Sequence, residues 1–488
     1  MIDSGPTRTR VVIIGAGFGG IGLGIKLKQS GLNDFEILEK SDSVGGVWRD
    51  NHYPGAACDV PSHLYSFSFA PRPDWPEKYA SQGDILDYLA HCARRHGLEP
   101  HIRLRTEVTE AHWDEASSLW MVRTRDGEMF EAQSLVTATG QLNRPFRPRL
   151  PGIESFSGAV FHSAEWRHDY DLRGKTIAVI GTGASAIQFV PAIAPLAGKL
   201  TVFQRSAAYV LPKPDRTYPR WQKSLFSRVP GALWLSRLLT YVRHEWAAFA
   251  FVAWPAALRV KRSAFFRHLH AGVKDPDKRR RLVPSYRIGC KRILLSNDFY
   301  PAMDRPNVEI VTDAIKDVRS DAIVAADGSE RKIDCIIFAT GFAATDFLAP
   351  ITITGRAGLD LHQVWNDGAQ AHLGIAVAGF PNFFMLYGPN TNLAHNSIVY
   401  MIECQIGYVI ACLKRLNADA VRTLEVRQEV QDRSNARLQH RLKRTVWAKG
   451  CTSWYLTAAG KNVTNWPGYT LEFRLKTHAP KWNDYVGR

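Results

Sequence analysis

The sequence has little of what a disulfide-stapled, zinc-binding or membrane-spanning protein requires. Its seven cysteines among 488 residues are scattered, odd in number and never form a C-x-x-C pair. That spacing argues against a disulfide framework and a zinc site, and we expect a reducing compartment, the cytoplasm. No apolar run reaches the roughly 18 residues of a membrane span. The nearest approach, residues 245–258, is interrupted by Pro255, and the N-terminal residues lack an export signal.

Acidic residues are scarce in one segment. Residues 206–290 hold 17 Lys or Arg against four Asp or Glu, so +13 of the net charge of +16 lies there. Such an excess predicts an anionic partner, either phosphate groups or an acidic lipid surface in preference to nucleic acid. A solvated helical surface is the alternative explanation.

Two stretches combine a buried strand, a glycine turn and a helix. They are VVIIGAGFGGIGLGIKL from residue 11 and TIAVIGTGASAIQFVPAI from residue 176. Each predicts the opening of a dinucleotide-binding βαβ unit. A strand that ends in Ala-Thr-Gly follows each unit, at residues 138–140 and 339–341. The chain is long enough for two or three domains.

The order of these segments predicts an α/β fold with two Rossmann-like dinucleotide-binding domains, the second inserted in the first. We assign residues 1–150 and 336–488 to the first domain and residues 151–335 to the second. Residues 217–283, which are basic and rich in tryptophan, are expected to form a helical insertion within the second domain.

The first glycine loop has the pattern G-x-G-x-x-G at Gly15, Gly17 and Gly20. These glycines allow a tight turn and a close approach of the backbone to a pyrophosphate at the helix N-terminus. Glu39 follows 24 residues after Gly15, where a carboxylate can accept hydrogen bonds from an adenosine ribose.

The second glycine loop carries the opposite charge at the matching position. After Gly181, Gly183 and Ala186 the chain has Arg205 and Ser206 where the first unit has an acid. A guanidinium suits the 2′-phosphate of NADP, whereas a carboxylate would repel it. Two loops of opposite preference imply two dinucleotides, and FAD with NADPH is the natural pair because flavin accepts a hydride.

Several further segments resemble the type I Baeyer-Villiger monooxygenases of the flavin-containing monooxygenase superfamily, and the resemblance covers nearly the whole chain. One of them, FSGAVFHSAEWRHD, matches the F-x-G-x-x-x-H-x-x-x-W fingerprint of that family at Phe156, Gly158, His162 and Trp166. The others are GGVWRDNHYPGAACD at 45–59, CKRILLSNDFYPAMDRPNVEIV from 290, FFMLYGPNTNLAHNS at 383–397 and GCTSWY at 450–455.

The resemblance separates this chain from the sister group that oxygenates nitrogen and sulfur. Trp166, Asp59 and Arg292 are the residue types expected in Baeyer-Villiger members, and the sister group typically lacks the last two. One position departs, because Arg167 stands where the fingerprint usually continues with Pro or Asp. That departure limits inference about substrate range. A related disulfide reductase is excluded by the missing C-x-x-C pair.

The family mechanism implies that NADPH reduces FAD, that oxygen forms a C4a-peroxyflavin, and that this species oxidises a ketone to an ester or lactone. Arg292 is then the cation that stabilises the developing negative charge, and Asp59 orients Arg292. Lys291 would reach NADP, Trp48 would pack near the flavin, and Trp454 would lie in a loop that closes over NADP. Further candidate cofactor contacts are Tyr65, Val108, Thr182, Ser185 and Gln188.

The fingerprint itself is expected to connect the two nucleotide domains. An isolated histidine such as His162 is more often a hydrogen-bonded structural residue than a general base. We therefore predict that Phe156, His162 and Trp166 govern domain rotation and take no part in bond making.

The expected partners are a small apolar ketone or sulfide and O2, without nucleic acid or a metal ion. The alternative functions are an N- or S-hydroxylating flavin monooxygenase and a basic flavoprotein that docks on a membrane through residues 217–283. Four tryptophans there fit either a peripheral membrane helix or the wall of an apolar substrate tunnel. They are Trp221, Trp234, Trp246 and Trp254.

Overall fold

The computed structural model describes residues 5–252, 254–418, 421–448 and 453–487. Strands and helices alternate through both halves of the described chain. In chain order the strands are β1 (Thr7–Ile14), β2 (Phe35–Leu38), β3 (Ile102–Arg103), β4 (Val108–Asp114), β5 (Leu119–Thr124), β6 (Met129–Thr137), β7 (Ala159–His162), β8 (Thr176–Ile180), β9 (Lys199–Phe203), β10 (Val210–Leu211), β11 (Leu294–Leu295), β12 (Val308–Val311), β13 (Ile315–Val318), β14 (Ala322–Ala325), β15 (Glu330–Lys332), β16 (Cys335–Phe338), β17 (Thr352–Thr354), β18 (Phe383–Met385), β19 (Leu424–Val426) and β20 (Tyr485–Gly487).

The helices pack on the faces of the sheets or follow one another between them. They are α1 (Phe18–Gln29), α2 (Val47–Asp50), α3 (Gln82–Arg95), α4 (Ala186–Ile193), α5 (Arg220–Arg228), α6 (Ala232–Val252), α7 (Leu258–Gly272), α8 (Pro276–Arg281), α9 (Phe299–Asp304), α10 (Leu361–Val364), α11 (Ile398–Asn417), α12 (Gln428–Leu442) and α13 (Thr470–Thr477).

The first sheet has eight strands in the order β17-β4-β5-β6-β1-β2-β3, with β18 paired to β6. Strand β1 lies between β6 and β2 and is parallel to both. Its second half, Val11–Ile14, is buried, as expected for a parallel strand that is covered on both faces. Strands β17 and β18 come from beyond residue 350, so both ends of the chain contribute to this sheet.

The second sheet has five strands in the order β12-β9-β8-β16-β7. All four neighbouring pairs are parallel. All strands of this sheet therefore come from the part of the chain between β6 and β17. The predicted α/β fold, with the second nucleotide unit inserted in the first, requires this order. The predicted domain boundary at residue 336 falls inside β16, which pairs with β7 and β8.

Four helices, α5 to α8, occupy the basic segment between the strands of the second sheet. Helix α6 is the longest within the described ranges, with 21 residues. No helix in the described part of the chain is long and apolar enough to cross a membrane.

Helix α1 passes very close to its neighbours. A Cβ atom on Gly22 would lie 2.8 Å from the Phe67 ring and 2.9 Å from the Ile406 side chain of α11. Glycine is therefore required where α1 and α11 cross, and the glycine-rich first helix serves packing as well as the loop that precedes it.

The cysteines differ in their bonding. Cys290 is disulfide-bonded. The spacing of the cysteines gave no indication of this bond, because the fold and not the sequence separation brings such partners together. The free cysteines among the described residues are Cys58, Cys92, Cys335, Cys404 and Cys412.

Candidate active site

The first glycine loop turns between β1 and α1 so tightly that two positions have no room for a side chain. Gly15 has φ of 104°, and a Cβ atom there would lie 2.8 Å from the Ala138 carbonyl oxygen. A Cβ atom on Gly20 would lie 1.9 Å from the Gly15 carbonyl oxygen. The loop leaves the N-terminus of α1 open, with Gly17 as an N-cap that has no side-chain hydrogen bond.

Glu39 lies at the end of β2, beside the first glycine loop. Its side chain is buried and accepts hydrogen bonds from the backbone N–H of Ala16 at 2.8 Å and of Ser41 at 3.1 Å. The Arg49 guanidinium donates to the same carboxylate at 3.1 Å. The acid is thus held in place by the loop, at the position where an adenosine ribose is expected.

Aromatic side chains cover the helix start next to this loop. The Trp48 indole N–H donates to the Tyr65 hydroxyl at 3.2 Å, and the Tyr65 ring lies 5.2 Å from that of Phe18 in an edge-on contact. A Cβ atom on Gly46, two residues before Trp48, would lie 3.2 Å from the Gly17 Cα. Trp48, the predicted flavin contact, and Tyr65, a predicted cofactor contact, therefore both lie near the first loop.

Val108, a predicted cofactor contact, begins β4 on the Glu39 side of the loop. Thr106, two residues earlier, donates its backbone N–H to the Glu39 carbonyl oxygen at 2.8 Å. The Val108 side chain is buried. The structure therefore brings together the seven predicted residues of the first nucleotide unit, namely Gly15, Gly17, Gly20, Glu39, Trp48, Tyr65 and Val108.

The second glycine loop repeats the first one in its backbone. Gly181 has φ of 107°, and a Cβ atom there would lie 2.5 Å from the Ala339 carbonyl oxygen. Gly183 has more room, because its Cβ atom would lie 3.8 Å from the same oxygen. Each Ala-Thr-Gly segment thus packs against the glycine turn of its own unit, Ala138 against Gly15 and Ala339 against Gly181.

The end of β9 carries positive charge without a neighbouring acid. The Lys291 ammonium donates to the Ser206 hydroxyl at 3.0 Å, and the Thr182 hydroxyl donates to the Ser206 carbonyl oxygen at 3.3 Å. Burial lowers the pKa of Lys291, and the adjacent charge of Arg205 lowers it further. Two cations with no opposing carboxylate among the described residues form a site suited to a phosphate.

Helix α4 of the second unit contacts the segment that leads to Asp59. The Tyr53 hydroxyl donates to the Gln188 side-chain oxygen at 2.9 Å, and the Gln188 amide donates to the Ala57 carbonyl oxygen at 2.9 Å. Ser185 is the N-cap of α4, and Ala186 begins the helix fully buried. The two nucleotide units therefore meet next to Asp59.

Asp59 and Arg292, which are 233 residues apart, form a bidentate ion pair at this junction. Arg292 Nε donates to one Asp59 oxygen at 3.0 Å, and Nη2 donates to the other at 2.8 Å. The Arg292 side chain keeps 33% of its surface accessible and the Asp59 side chain 29%, so the pair is open to a ligand. The Asp59 carboxylate raises the pKa of Arg292, which keeps the guanidinium charged.

Two tyrosines near Arg292 were not predicted from the sequence. Burial raises the pKa of Tyr455 to about 12, and the nearby Arg292 charge opposes that rise. Burial also raises the pKa of Tyr387, again against the charge of Arg292. The Tyr387 hydroxyl donates to the Asn392 side-chain oxygen at 2.8 Å. Two sequence signals could have indicated them: Tyr455 directly follows Trp454, and Tyr387 begins the YGPN turn.

Trp454 packs its ring 4.5 Å from that of Tyr455. It therefore neighbours a tyrosine that lies near the Arg292 charge. The preceding residues of the GCTSWY segment, Gly450, Cys451 and Thr452, lie outside the described residues.

The fingerprint residues form a strand and a turn that pack against the second unit. The Trp166 ring lies 5.4 Å from that of Phe161 and 5.2 Å from that of Phe189 in α4. His162 is buried, its ring accepts the Ala164 backbone N–H, and burial lowers its pKa to about 4. Arg167 is exposed and pairs with Asp169 at 2.6 Å.

These features fit the two predicted cofactors. The first unit offers a glycine turn, an open helix start, a fixed carboxylate and adjacent aromatic rings, which suit an adenine dinucleotide that carries a flavin. The second unit offers the same turn with two cations that no carboxylate of the described residues opposes, which suit a dinucleotide with a 2′-phosphate.

A family model described as flavin-binding monooxygenase-like matches residues 8–352. The chain is 46% identical to a Baeyer-Villiger monooxygenase of Streptomyces coelicolor, over 98% of this chain and 92% of that protein. It is also 46% identical to a Baeyer-Villiger monooxygenase of Pseudomonas aeruginosa, over 96% of this chain and 89% of that protein.

Solved structures with similar folds span the whole length of the chain. A closed crystal structure of cyclohexanone monooxygenase covers 99% of this chain and 100% of its own, with a TM-score of 0.88 at 29% identity. A crystal structure titled OTEMO in complex with FAD and NADP also covers 99% of this chain and 100% of its own, with a TM-score of 0.89 at 26% identity.

Proposed function

Because the chain belongs to the flavin-binding monooxygenase-like family, we propose that it is an FAD- and NADPH-dependent Baeyer-Villiger monooxygenase. The reaction converts a ketone, O2, NADPH and a proton into an ester or lactone, NADP⁺ and water. The observation that carries the proposal is the bidentate Asp59–Arg292 pair at the junction of two nucleotide units with opposite charge preference.

The first unit would hold FAD. Gly15, Gly17 and Gly20 leave the backbone N–H groups at the start of α1 accessible to the pyrophosphate, and Glu39 accepts from the ribose. Trp48, Tyr65 and Val108 would flank the remainder of the cofactor. When bound, FAD supplies the redox chemistry, since it accepts a hydride and then reacts with oxygen.

The second unit would hold NADPH. Arg205, Lys291 and Ser206 bind the 2′-phosphate, because the two cations and the hydroxyl group form one uncompensated donor set. The remaining contacts come from the loop and the start of α4, at Thr182, Gly183, Ser185, Ala186 and Gln188. We also propose that Trp454 belongs to a segment that shields the bound coenzyme from water.

Arg292 would act on the oxygen atoms that gain negative charge during the reaction. A guanidinium is permanently charged and presents several donors in a fixed fork, so it stabilises such charge without transferring a proton. Asp59 occupies one edge of that fork and so fixes which N–H groups point elsewhere. Asp59 is therefore a positioning residue, and Arg292 is the residue that contacts the reacting groups.

Domain assignment follows the sheets. We propose that residues 1–150 and the part of the chain after β16 form the FAD domain, and that residues 151 to the end of β16 form the NADP domain with the helical insertion 217–283. Strands β17 and β18 in the first sheet support this division. Contact of residues 217–283 with a membrane is a separate proposal that does not depend on this activity.

A product screen tests the activity. Purified yellow protein is supplied with NADPH, air and linear, cyclic or aryl ketones, and the products are separated by gas chromatography. We expect esters or lactones from at least one class, and bleaching of the flavin by NADPH without oxygen. Flavin bleaching with no ketone product would contradict the Baeyer-Villiger assignment.

Oxygenation of sulfides is proposed as a side activity, because an oxygen donor held near Arg292 can also react with a soft sulfur atom. Methyl aryl sulfides belong in the same screen, together with a tertiary amine. Products from the sulfide and the amine, and none from ketones, would support the N- or S-hydroxylating alternative.

A further inference from the structure

Helix α6 packs one face onto the FAD-binding side of the molecule. The Ser236 hydroxyl is 2.8 Å from a His63 ring nitrogen, and Arg237 donates to the Ser66 carbonyl oxygen at 2.8 Å. Further along the helix, Phe251 is buried on the same side as Arg237. These contacts and this burial fix which side of α6 faces the protein.

The opposite side of α6 is exposed and apolar. At 100° per residue, positions 235, 238, 239, 242, 246 and 249 lie within one arc of about 100°, and the arc runs for about 21 Å along the helix. We name these positions the α6 stripe. Every one is a large apolar side chain that is exposed to solvent, namely Leu235, Leu238, Leu239, Val242, Trp246 and Phe249.

The tryptophans of this segment do not line a tunnel. Their exposed fractions are 65% for Trp221, 65% for Trp234, 75% for Trp246 and 58% for Trp254. A tunnel wall would bury these rings. Instead, Trp221, Trp234 and Trp254 add exposed aromatic surface in and around α5 and α6. An amphipathic ring of this kind can lie at the boundary between an apolar phase and water.

The chain segment that contains the stripe is strongly basic. Residues 206–290 hold +13 of the net charge of +16. Exposed basic side chains occur on α5, within α6 and on α7, among them Arg220, Arg228, Arg243, Arg259 and Arg262. The segment therefore combines an exposed apolar strip with exposed basic side chains.

This combination of apolar and basic side chains favours one binding partner among a second copy of the chain, nucleic acid and a lipid bilayer. In a two-fold symmetric dimer the same patch would face itself, so basic residues would meet basic residues. Nucleic acid would satisfy the charge and leave the six apolar side chains without an apolar environment. An anionic bilayer satisfies both, because its headgroups attract Lys and Arg and its acyl region accepts the apolar side chains.

We propose that helices α5, α6 and α7 form a peripheral docking surface for membranes that contain anionic phospholipid. Helix α6 lies in the plane of the interface with the α6 stripe immersed at the boundary between headgroups and acyl chains. The helix does not cross the bilayer, in agreement with the absence of any spanning helix among the described residues.

Vesicle co-sedimentation of the FAD-loaded protein tests the proposal. The probes are vesicles of phosphatidylcholine alone and of equimolar phosphatidylcholine and phosphatidylglycerol, at low and at high salt. We expect binding to the anionic vesicles, at least about tenfold weaker binding to phosphatidylcholine, and release at high salt, since several cations contribute about fivefold each. No binding to anionic vesicles at low salt would overturn the proposal.

Two double variants identify the surface. Leu239→Gln with Trp246→Gln should weaken binding to anionic vesicles about tenfold or more, because two apolar side chains no longer enter the interface. Leu104→Gln with Leu196→Gln removes two other exposed leucines and should leave binding unchanged. Equal binding by both variants would refute the assignment to the α6 stripe.

Separate readouts distinguish folding and self-association from docking. Flavin content and anaerobic reduction by NADPH should be the same in both double variants and in the wild type. Light scattering should show no concentration-dependent dimer that the Leu239→Gln, Trp246→Gln pair abolishes. Such a dimer without vesicle binding would show that this surface binds a second copy of the chain and not lipid. Docking does not require the proposed ketone activity, so each can fail alone.

Discussion

The glycine loops of the two nucleotide units have the same backbone geometry. The units differ in the charge of their sites and in whether the key side chain is already held in place without a ligand. In both, a glycine with positive φ packs on an Ala-Thr-Gly carbonyl, Gly15 on Ala138 and Gly181 on Ala339. In the first, the Glu39 carboxylate is buried and already receives three hydrogen bonds from Ala16, Ser41 and Arg49. In the second, Arg205 is exposed.

This difference teaches how one fold can serve a resident cofactor and an exchanging one. A buried acid that is fixed by its own loop costs little further ordering when a ribose binds, which favours tight retention. The exposed Arg205 and the half-buried Lys291 are neutralised only when a phosphate arrives. We therefore associate the first unit with FAD that stays bound and the second with NADPH that comes and goes.

The largest expected effect comes from Gly20→Ala in the first loop. The new Cβ atom would lie 1.9 Å from the Gly15 carbonyl oxygen, so the loop cannot keep its shape. We expect loss of bound FAD, measured as the ratio of flavin to protein absorbance. Gly183→Ala in the second loop is the matched control, because its Cβ atom finds 3.8 Å of space, and it should remain yellow. A Gly20→Ala protein with full flavin content would refute this account of the loop.

Arg292→Ala should abolish most ketone oxidation while the first half of the reaction survives. Removal of one stabilising donor set of this kind lowers turnover by about a hundredfold to a thousandfold. Anaerobic reduction of the flavin by NADPH, followed by stopped-flow absorbance, should continue because the two glycine loops are intact. Arg167→Ala removes an exposed arginine whose partner is Asp169 and serves as the control. Unchanged ester formation in Arg292→Ala would contradict the role of Arg292.

Arg205→Ala should reduce the preference for NADPH over NADH by about tenfold to a hundredfold, the range of one charge-assisted hydrogen bond. The kcat/KM for NADH should hardly change, because NADH has no 2′-phosphate. Steady-state kinetics with both coenzymes measures the ratio. A parallel fall for both coenzymes would show that Arg205 supports the fold and does not select the phosphate.

The smallest expected effect is a pH dependence of NADPH use. The pKa of Lys291 is lowered by burial and by Arg205, so its charge is lost at a lower pH than that of an ordinary lysine. Loss of the cation weakens phosphate binding, and kcat/KM for NADPH should fall a few-fold as the pH rises, whereas that for NADH should not. Arg205→Ala removes one cause of the lowered pKa of Lys291, so the fall in kcat/KM for NADPH should move to higher pH. An identical pH profile for both coenzymes would refute this assignment.

The local part of the site could be predicted from the sequence because strand, turn and helix follow one another within some 30 residues. Gly15, Glu39, Gly181 and Arg205 are separated by spacings that the unit itself dictates. The α/β class and the interleaving of the two units followed from the same patterns, and the family relationship agrees with them.

The part that depends on distant contacts could not be derived in this way. Asp59 and Arg292 were indicated by a family resemblance, since no spacing rule connects residues 233 apart. Tyr387 and Tyr455 were missed because loops, not regular elements, bring them to Arg292. The orientation of α6 was also open, because apolar side chains occur on all sides of this helix in sequence. Only the contacts of Ser236 and Arg237 and the burial of Phe251 decide which face is covered.

The source of the inserted oxygen tests the central claim most directly. The purified enzyme is incubated with NADPH and a ketone that it converts, under ¹⁸O2 in unlabelled water, and the ester or lactone is analysed by mass spectrometry. The account predicts that one labelled oxygen atom enters the product, next to the former carbonyl carbon, and that omission of NADPH prevents its formation. Label found only in water or hydrogen peroxide, with no labelled ester or lactone, would contradict it.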